Sequence, residues 1–288
     1  MSAISIRHYL SLVKFSHTVF ALPFAIIGYF LGVEASGVNP DWTLFAKVVL
    51  CMVFARSAAM GFNRYIDRRF DEKNARTAVR EIPAGIISPQ AALIFVVLMS
   101  AAFVTTTWFI NPLCFYLSPV ALAVILGYSI TKRFTWLCHL VLGVGLSLAP
   151  IGAYLAVTGV FDWLPLFFSF AVLFWTAGFD IIYALQDEEF DRSEELFSIP
   201  VWLGKKKALQ LSVFLHCITA AFILAAGFNM QAGLFYWIGA AIFLIMLVYQ
   251  HSIVKPDDLS RVNLAFGTTN GIASVVLGIA YILEHFIF

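Results

Sequence analysis

Charge is what this sequence has least of. Only 12% of its 288 residues are Asp, Glu, Lys or Arg, whereas 61% are apolar; an ordinary globular domain carries about 25% charge and about 45–50% apolar residues. Eighteen basic and 17 acidic side chains are too few to cover the outside of a water-soluble fold of this length. The scarcity excludes a soluble enzyme and a disordered chain. Cysteine is sparse too. Cys51, Cys114, Cys138 and Cys217 lie far apart in apolar stretches without a Cys-x-x-Cys spacing, which excludes a secreted disulfide scaffold and leaves them as small core residues. No cleavable leader is read either: residues 15–33 are too long for a signal-peptide core, and no good cleavage site follows.

What remains is apolar length. A membrane span needs roughly 20 mostly apolar residues, and nine such windows are legible. They are 15–33, 42–62 (despite Lys47 and Arg56), two within 82–131 separated at Asn111-Pro112, 134–161, 163–179 and beyond, two within 208–254 separated near Gly227-Phe228-Asn229, and 262–283. Basic residues sort to one side of this layout. Arg7 and Lys14 precede the first span; Arg64, Arg68, Arg69, Lys73, Arg76 and Arg80 follow the second; Lys132 and Arg133 follow the fourth. Arg192 and Lys205 to Lys207 follow the sixth, and Lys255 and Arg261 the eighth. Positive charge stays cytoplasmic. The expected protein is therefore an all-α integral membrane protein, a single domain over 1–288 with nine transmembrane helices, N-terminus cytoplasmic and C-terminus outside. No nucleic-acid partner is expected.

Most of the acids fall into two short stretches, 67–81 and 180–195, each near the cytoplasmic end of an even-numbered span. Asn63, Asp67 and Asp71 recur at i, i+4 and i+8; Asp180, Tyr183, Asp187 and Asp191 recur at i, i+3, i+7 and i+11. Both spacings lay a stripe along one helix face. Carboxylates so spaced repel unless something positive lies against them. Two facing stripes would form an all-oxygen nest suited to Mg²⁺, which takes carboxylates together with phosphate oxygens. Asp180 is deeper in apolar surroundings, where an ionisable group marks a functional site by default. Glu72, Glu188, Glu189, Glu194 and Glu195 read as solvated helix ends. Arg76, Arg80, Lys132 and Arg133 interleave with the acids, and such cations bind phosphate. Arg56, two turns before Asn63, reads as functional. His17, His139 and His216 lie on apolar helices and read as satisfied core residues.

Taken together, these residues resemble the UbiA superfamily of membrane prenyltransferases. Arg56-Ser-Ala-Ala-Met-Gly-Phe-Asn63, followed by Asp67 and Asp71, is similar to the first Asp-rich motif. Arg76-Thr-Ala-Val-Arg80-Glu-Ile-Pro83-Ala-Gly85 and Tyr128 to Thr135, with Lys132-Arg133, resemble two further elements. Asp180-Ile-Ile-Tyr183-Ala184-Leu-Gln-Asp187, then Asp191, resembles the second Asp-rich motif. The chain departs from the pattern in Arg64, where an Asp often follows the Asn, and in Phe197-Ser198, where a basic residue often precedes the Ser. Its wording from Lys14 to Pro23 is shared with members assigned to naphthoate prenylation.

The resemblance implies Mg²⁺ held by Asp67, Asp71, Asp187 and Asp191, assisted by Asn63 and Asp180. Arg76, Arg80, Lys132 and Arg133 would bind the diphosphate of a polyprenyl diphosphate, and Arg56 the polar substituent of an aromatic acceptor. Tyr183 would orient an aspartate or stabilise a cation with its ring. The expected reaction moves a polyprenyl chain to a small aromatic acid of the 4-hydroxybenzoate type at the inner membrane, near its cytoplasmic face, in quinone biosynthesis. A dihydroxynaphthoate of menaquinone synthesis is the alternative acceptor. From another class, the alternative is a cation- or proton-coupled transporter using Asp180 as a relay.

Overall fold

The computed structural model describes residues 6–13 and 20–287. Lys14, His17 and the start of the expected first span lie outside them. Among the described residues the chain is helical, without strands. In chain order it runs α1 (Ile6–Leu12), α2 (Leu22–Ser36), α3 (Trp42–Lys73), α4 (Pro89–Trp108), α5 (Pro112–Thr131), α6 (Cys138–Thr158), α7 (Trp163–Ala184) and α8 (Glu188–Ser193). There follow α9 (Ile199–Asn229), α10 (Leu234–Ile253) and α11 (Asn270–Ile287), the last preceded by a π-helical turn, Leu264–Thr269. Eight of the helical segments are long and apolar enough to cross a membrane. The described part of the first expected span, α2, is apolar but has 15 residues.

The breaks follow from local chemistry. Asp41, Ser88, Asn111 and Ser198 each accept hydrogen bonds from the exposed N–H groups that begin α3, α4, α5 and α9, the usual work of an N-cap. Pro89, Pro112 and Pro200 occupy first-turn positions, where a missing N–H costs nothing. The division expected at Asn111-Pro112 is therefore a cap followed by a helix start.

Hydrophobic burial does not distinguish helix from lipid, so close backbone approach holds such bundles together. A Cβ on Gly28 of α2 would strike the backbone of Pro150 in α6, and one on Gly143 of α6 the backbone of Leu173 in α7. The main core gathers Phe24, Phe168, Trp175, Phe243 and Leu277 from α2, α7, α10 and α11. There the Trp175 indole donates to Asn270 Oδ1 at 2.8 Å. By contrast, α4 and α5 keep Ile94, Val97, Leu98, Tyr116 and Val120 exposed, as a lipid-facing surface requires.

Candidate active site

Helix α3 runs unbroken from Trp42 to Lys73, so the first stripe has its expected form. Asn63, Asp67 and Asp71 point with Arg56 and Arg64 into a cavity of about 520 Å³. The second stripe differs. After Ala184 the helix tightens into a 3-10 turn, Leu185–Asp187, and restarts as α8, so Asp180, Tyr183, Asp187 and Asp191 lie on three consecutive segments and not on one continuous helix. All four still line the same cavity, joined by Arg76, Arg80, Tyr128 and Lys132. Arg133 reaches it through Asp67.

The positive charge needed against the acids comes from elsewhere in the chain. Arg133 reaches Asp67 Oδ1 at 2.7 Å, with Lys132 Nζ 3.7 Å from Oδ2. Asn63 donates to the same Oδ2 at 3.1 Å. Arg80 holds Asp71 at 2.6 Å. Arg76 forks onto Asp187 with NH2 to Oδ2 at 2.5 Å and Nε to Oδ1 at 3.1 Å, while its NH1 donates to the Tyr183 hydroxyl at 2.9 Å. Tyr183 thus orients an arginine, not an aspartate. Burial opposes the Arg76 charge, but bonding and attraction from Asp187 outweigh it and raise the guanidinium pKa above its ordinary value.

The segment after α3 is what joins the two acidic stretches. Asn74 accepts from Arg76 N at 2.9 Å and donates to Asp187 Oδ1 at 3.2 Å, and Thr77 Oγ1 donates to Asp71 O at 3.0 Å. On the opposite wall, Phe197 N donates to Lys132 O at 2.7 Å, fastening the loop before α9 to the end of α5.

Two residues of the cavity escape the sequence reading. His139 is buried, yet it lines the cavity and places Nδ1 2.7 Å from Asp180 Oδ2. Its Nε2 accepts the Ile199 N–H at 3.3 Å, so the ring proton is on Nδ1 and is donated to Asp180. Arg64 is buried, and its Nε has no partner among the described residues. The signal for Arg64 was its place two turns beyond Arg56 on one stripe; His139 carried none. The remaining core histidine, His216, is satisfied as expected, with Nδ1 2.7 Å from His251 Nε2.

A second, apolar cavity of about 360 Å³ lies between α3, α5 and α6, with Phe103 and Thr107 of α4 also lining it. Met52, Ala55, Phe103, Leu117 and Val124 line it, and it shares Arg56, Met60, Tyr128, Leu142 and Leu146 with the polar one. Arg56 has no hydrogen bond or ion pair with a described residue, and its Nε is sealed from solvent. A charged mouth and an apolar slot therefore meet at one unpaired guanidinium.

Among the described residues no three Asp, Glu, His or Cys side chains are gathered closely enough to hold a metal ion. Asp67, Asp71 and Asp187 are each drawn onto a cation. The donor set still suits Mg²⁺, being carboxylate oxygens around one space, and Asp71 Oδ2 is buried without a partner among described residues.

Known proteins share this architecture. A solved UbiA homologue from Aeropyrum pernix superposes with a TM-score of 0.85 at 30% identity, covering 93% of this chain and 98% of that one. One from Archaeoglobus fulgidus, bound to GPP and Mg²⁺, superposes with a TM-score of 0.74 at 21% identity, covering 96% and 99%, a likeness of fold. A 4-hydroxybenzoate octaprenyltransferase of Vibrio campbellii is 28% identical over 248 residues, 86% of each chain. Another so named, from Aliivibrio salmonicida, is 30% identical over 250 residues, 85% of this chain and 86% of its own. Residues 21–278 match the profile of the UbiA prenyltransferase family, to which this chain belongs.

Proposed function

We propose that this protein transfers a polyprenyl chain from polyprenyl diphosphate to a small aromatic acid of the 4-hydroxybenzoate type, with Mg²⁺, in respiratory quinone biosynthesis. The observation that carries the reading is the junction at Arg56. There a cavity rich in arginine, lysine and carboxylate opens into an apolar slot, the shape a molecule with a diphosphate head and a hydrocarbon tail requires. The names of the similar proteins from Vibrio and Aliivibrio support the acceptor class, and the Archaeoglobus homologue supports the metal.

In this reading Asp67, Asp71, Asp187 and Asp191 hold Mg²⁺, with Asn63 and Asp180 beside them. When bound, the ion supplies positive charge against the diphosphate as negative charge builds on it. With those carboxylates committed to the ion, Arg76, Arg80, Lys132 and Arg133 would be left to take phosphate oxygens, for which guanidinium is well shaped. The C1–O bond of the donor breaks with its electron pair on the diphosphate. The ring of the acceptor attacks the allylic carbon, held in place through its carboxylate by Arg56. Closing such charges into a poorly hydrated cavity strengthens them. The apolar slot keeps the tail from water.

In the same reading the mouth lies at the cytoplasmic face of the inner membrane, with α2 as the first of nine crossings, the N-terminus inside and the C-terminus outside; the sorting of basic residues into the loops on that side supports it. The transporter alternative finds less support, because the acids pair with cations in one cavity and, among the described residues, form no relay through the bundle. The test is direct. Purified protein given a polyprenyl diphosphate, Mg²⁺ and 4-hydroxybenzoate should form a prenylated acid by mass spectrometry with no ion gradient present. A parallel reaction with a dihydroxynaphthoate decides the acceptor, and no product from either acid refutes the proposal.

A further inference from the structure

The cations of the polar cavity fall into two kinds. Arg76, Arg80, Lys132 and Arg133 each hold a carboxylate. Arg56 and Arg64 hold none: neither has a hydrogen bond or ion pair with a described residue, and the Nε of each is sealed from solvent without a partner. Arg64 is only 6% exposed. A guanidinium with its Nε kept out of water and unpaired is held at a cost that an anion arriving at its open nitrogens would offset. The first kind would exchange protein carboxylates for a diphosphate, while the second has no anion of its own.

The two unpaired arginines serve one small region. They stand two turns apart on the same face of α3, about 12 Å along the axis, and both line the polar cavity together with Tyr128. Both side chains open into that one cavity, so a single small ligand has access to the two of them. Arg56 borders the apolar slot as well as the polar cavity, whereas Arg64 lines the polar cavity alone. A ligand bridging them is negative at both ends.

We propose that Arg64 is a second acceptor-binding cation, holding the ring oxygen of a hydroxy aromatic acid as its phenolate while Arg56 holds the carboxylate. This rests on the prenyltransferase reading and deepens it. A guanidinium against a phenol oxygen favours the ionised form, so the hydroxyl proton passes to water as the acid binds. The phenolate ring is the stronger nucleophile. Its electron pair forms the C–C bond to the donor's first carbon, the C1–O pair leaves with the diphosphate, and the ring C–H proton departs to water to restore aromaticity.

The experiment measures equilibrium binding by full-length protein in lipid nanodiscs, using 4-hydroxybenzoate, benzoate and 4-methoxybenzoate as probes, with a short-chain allylic diphosphate as the control ligand. The native protein should prefer 4-hydroxybenzoate to the other two by roughly 10- to 100-fold, the range for a hydrogen bond to a charged group. Arg64→Gln should erase that preference and leave benzoate binding within about twofold, and Arg64→Lys should restore part of it. Arg56→Gln should weaken all three acids. The proposal is overturned if the native protein does not discriminate among the acids. It is overturned equally if Arg64→Gln keeps the discrimination, or weakens the diphosphate and not the hydroxy acid. Should Arg64→Gln fail to fold, the native protein and Arg64→Lys still decide the matter. Hydroxyl-dependent binding without any prenyl transfer would refute the prenyltransferase reading alone; transfer without hydroxyl discrimination would refute this inference alone.

Discussion

Asp67 is held by two cations and an asparagine at once, and Asp187 by the fork of Arg76 and by Asn74. Removing either carboxylate deletes a proposed Mg²⁺ ligand and leaves its cations without their counterion. Asp67→Ala and Asp187→Ala should each lower prenyl transfer by on the order of 10²–10³-fold or more, as loss of a charge-stabilising group does, with expression in the membrane unchanged. A radiolabelled-donor assay on equal amounts of purified protein checks this, and wild-type turnover in either variant refutes the metal site. His139 allows a finer test because its tautomer is fixed by Ile199. His139→Asn retains a donor where Nδ1 stands; His139→Ala does not. The alanine variant should lose about 10- to 100-fold in kcat, typical of losing a group that orients a ligand, and the asparagine variant should recover much of it. Equal activity in the two would show that the hydrogen bond to Asp180 is immaterial.

At the scale of elements, the first acidic stripe was legible because α3 is a regular helix, where i, i+4 and i+8 mean one face whatever surrounds it. The second was legible only in outline. Spacing alone does not reveal the 3-10 turn at Leu185–Asp187 that sets Asp187 and Asp191 apart from Asp180. The ion pairs were hidden for a different reason: Arg133 and Asp67 are 66 residues apart and Arg76 and Asp187 are 111, and no periodic pattern links positions so distant. His139 looked like any histidine on an apolar helix, and Arg64 like a departure from a motif, until the bundle turned both into one cavity. Packing was hidden too. Gly143 has no sequence context that reports its closeness to α7, yet a methyl group there would meet the backbone of Leu173, which cannot rotate away as a side chain can. Gly143→Ala should therefore destabilise the detergent-purified protein by ~1–3 kcal/mol, the usual penalty for overpacking. A drop in the thermal unfolding midpoint is the readout, and an unchanged midpoint would mean that α6 and α7 separate freely.

The whole molecule gathers most of its basic residues at one end of the helices and has an apolar slot along their length, so both its orientation and its cofactor dependence are testable. With the four native cysteines replaced by alanine, a single cysteine at Asp257 should react with a membrane-impermeant maleimide only from the cytoplasmic side. One at Val160, exposed at the opposite end, should react only from outside. EDTA should abolish transfer and added Mg²⁺ restore it, because three of the four proposed ligands otherwise stay on their arginines and lysines. The slot carries the last expectation. It begins where Arg56, Met60 and Tyr128 border the polar cavity and extends past Ala55 and Met52 toward Phe103 and Phe161. A donor bound as proposed, with its head among the arginines, would thread its tail along this path, which is lined at Ala55 by no more than a methyl group from that residue. Ala55→Phe puts a ring into a volume of about 360 Å³ and shortens what it holds, without touching the carboxylates or Arg56. Turnover of the shortest allylic diphosphate should then survive within several-fold, while turnover of long polyprenyl donors collapses, so that the ratio of their kcat/KM values shifts by about 10-fold or more. An equal loss for every chain length would mean that the tail lies elsewhere, against the lipid-facing surface of α4 and α5.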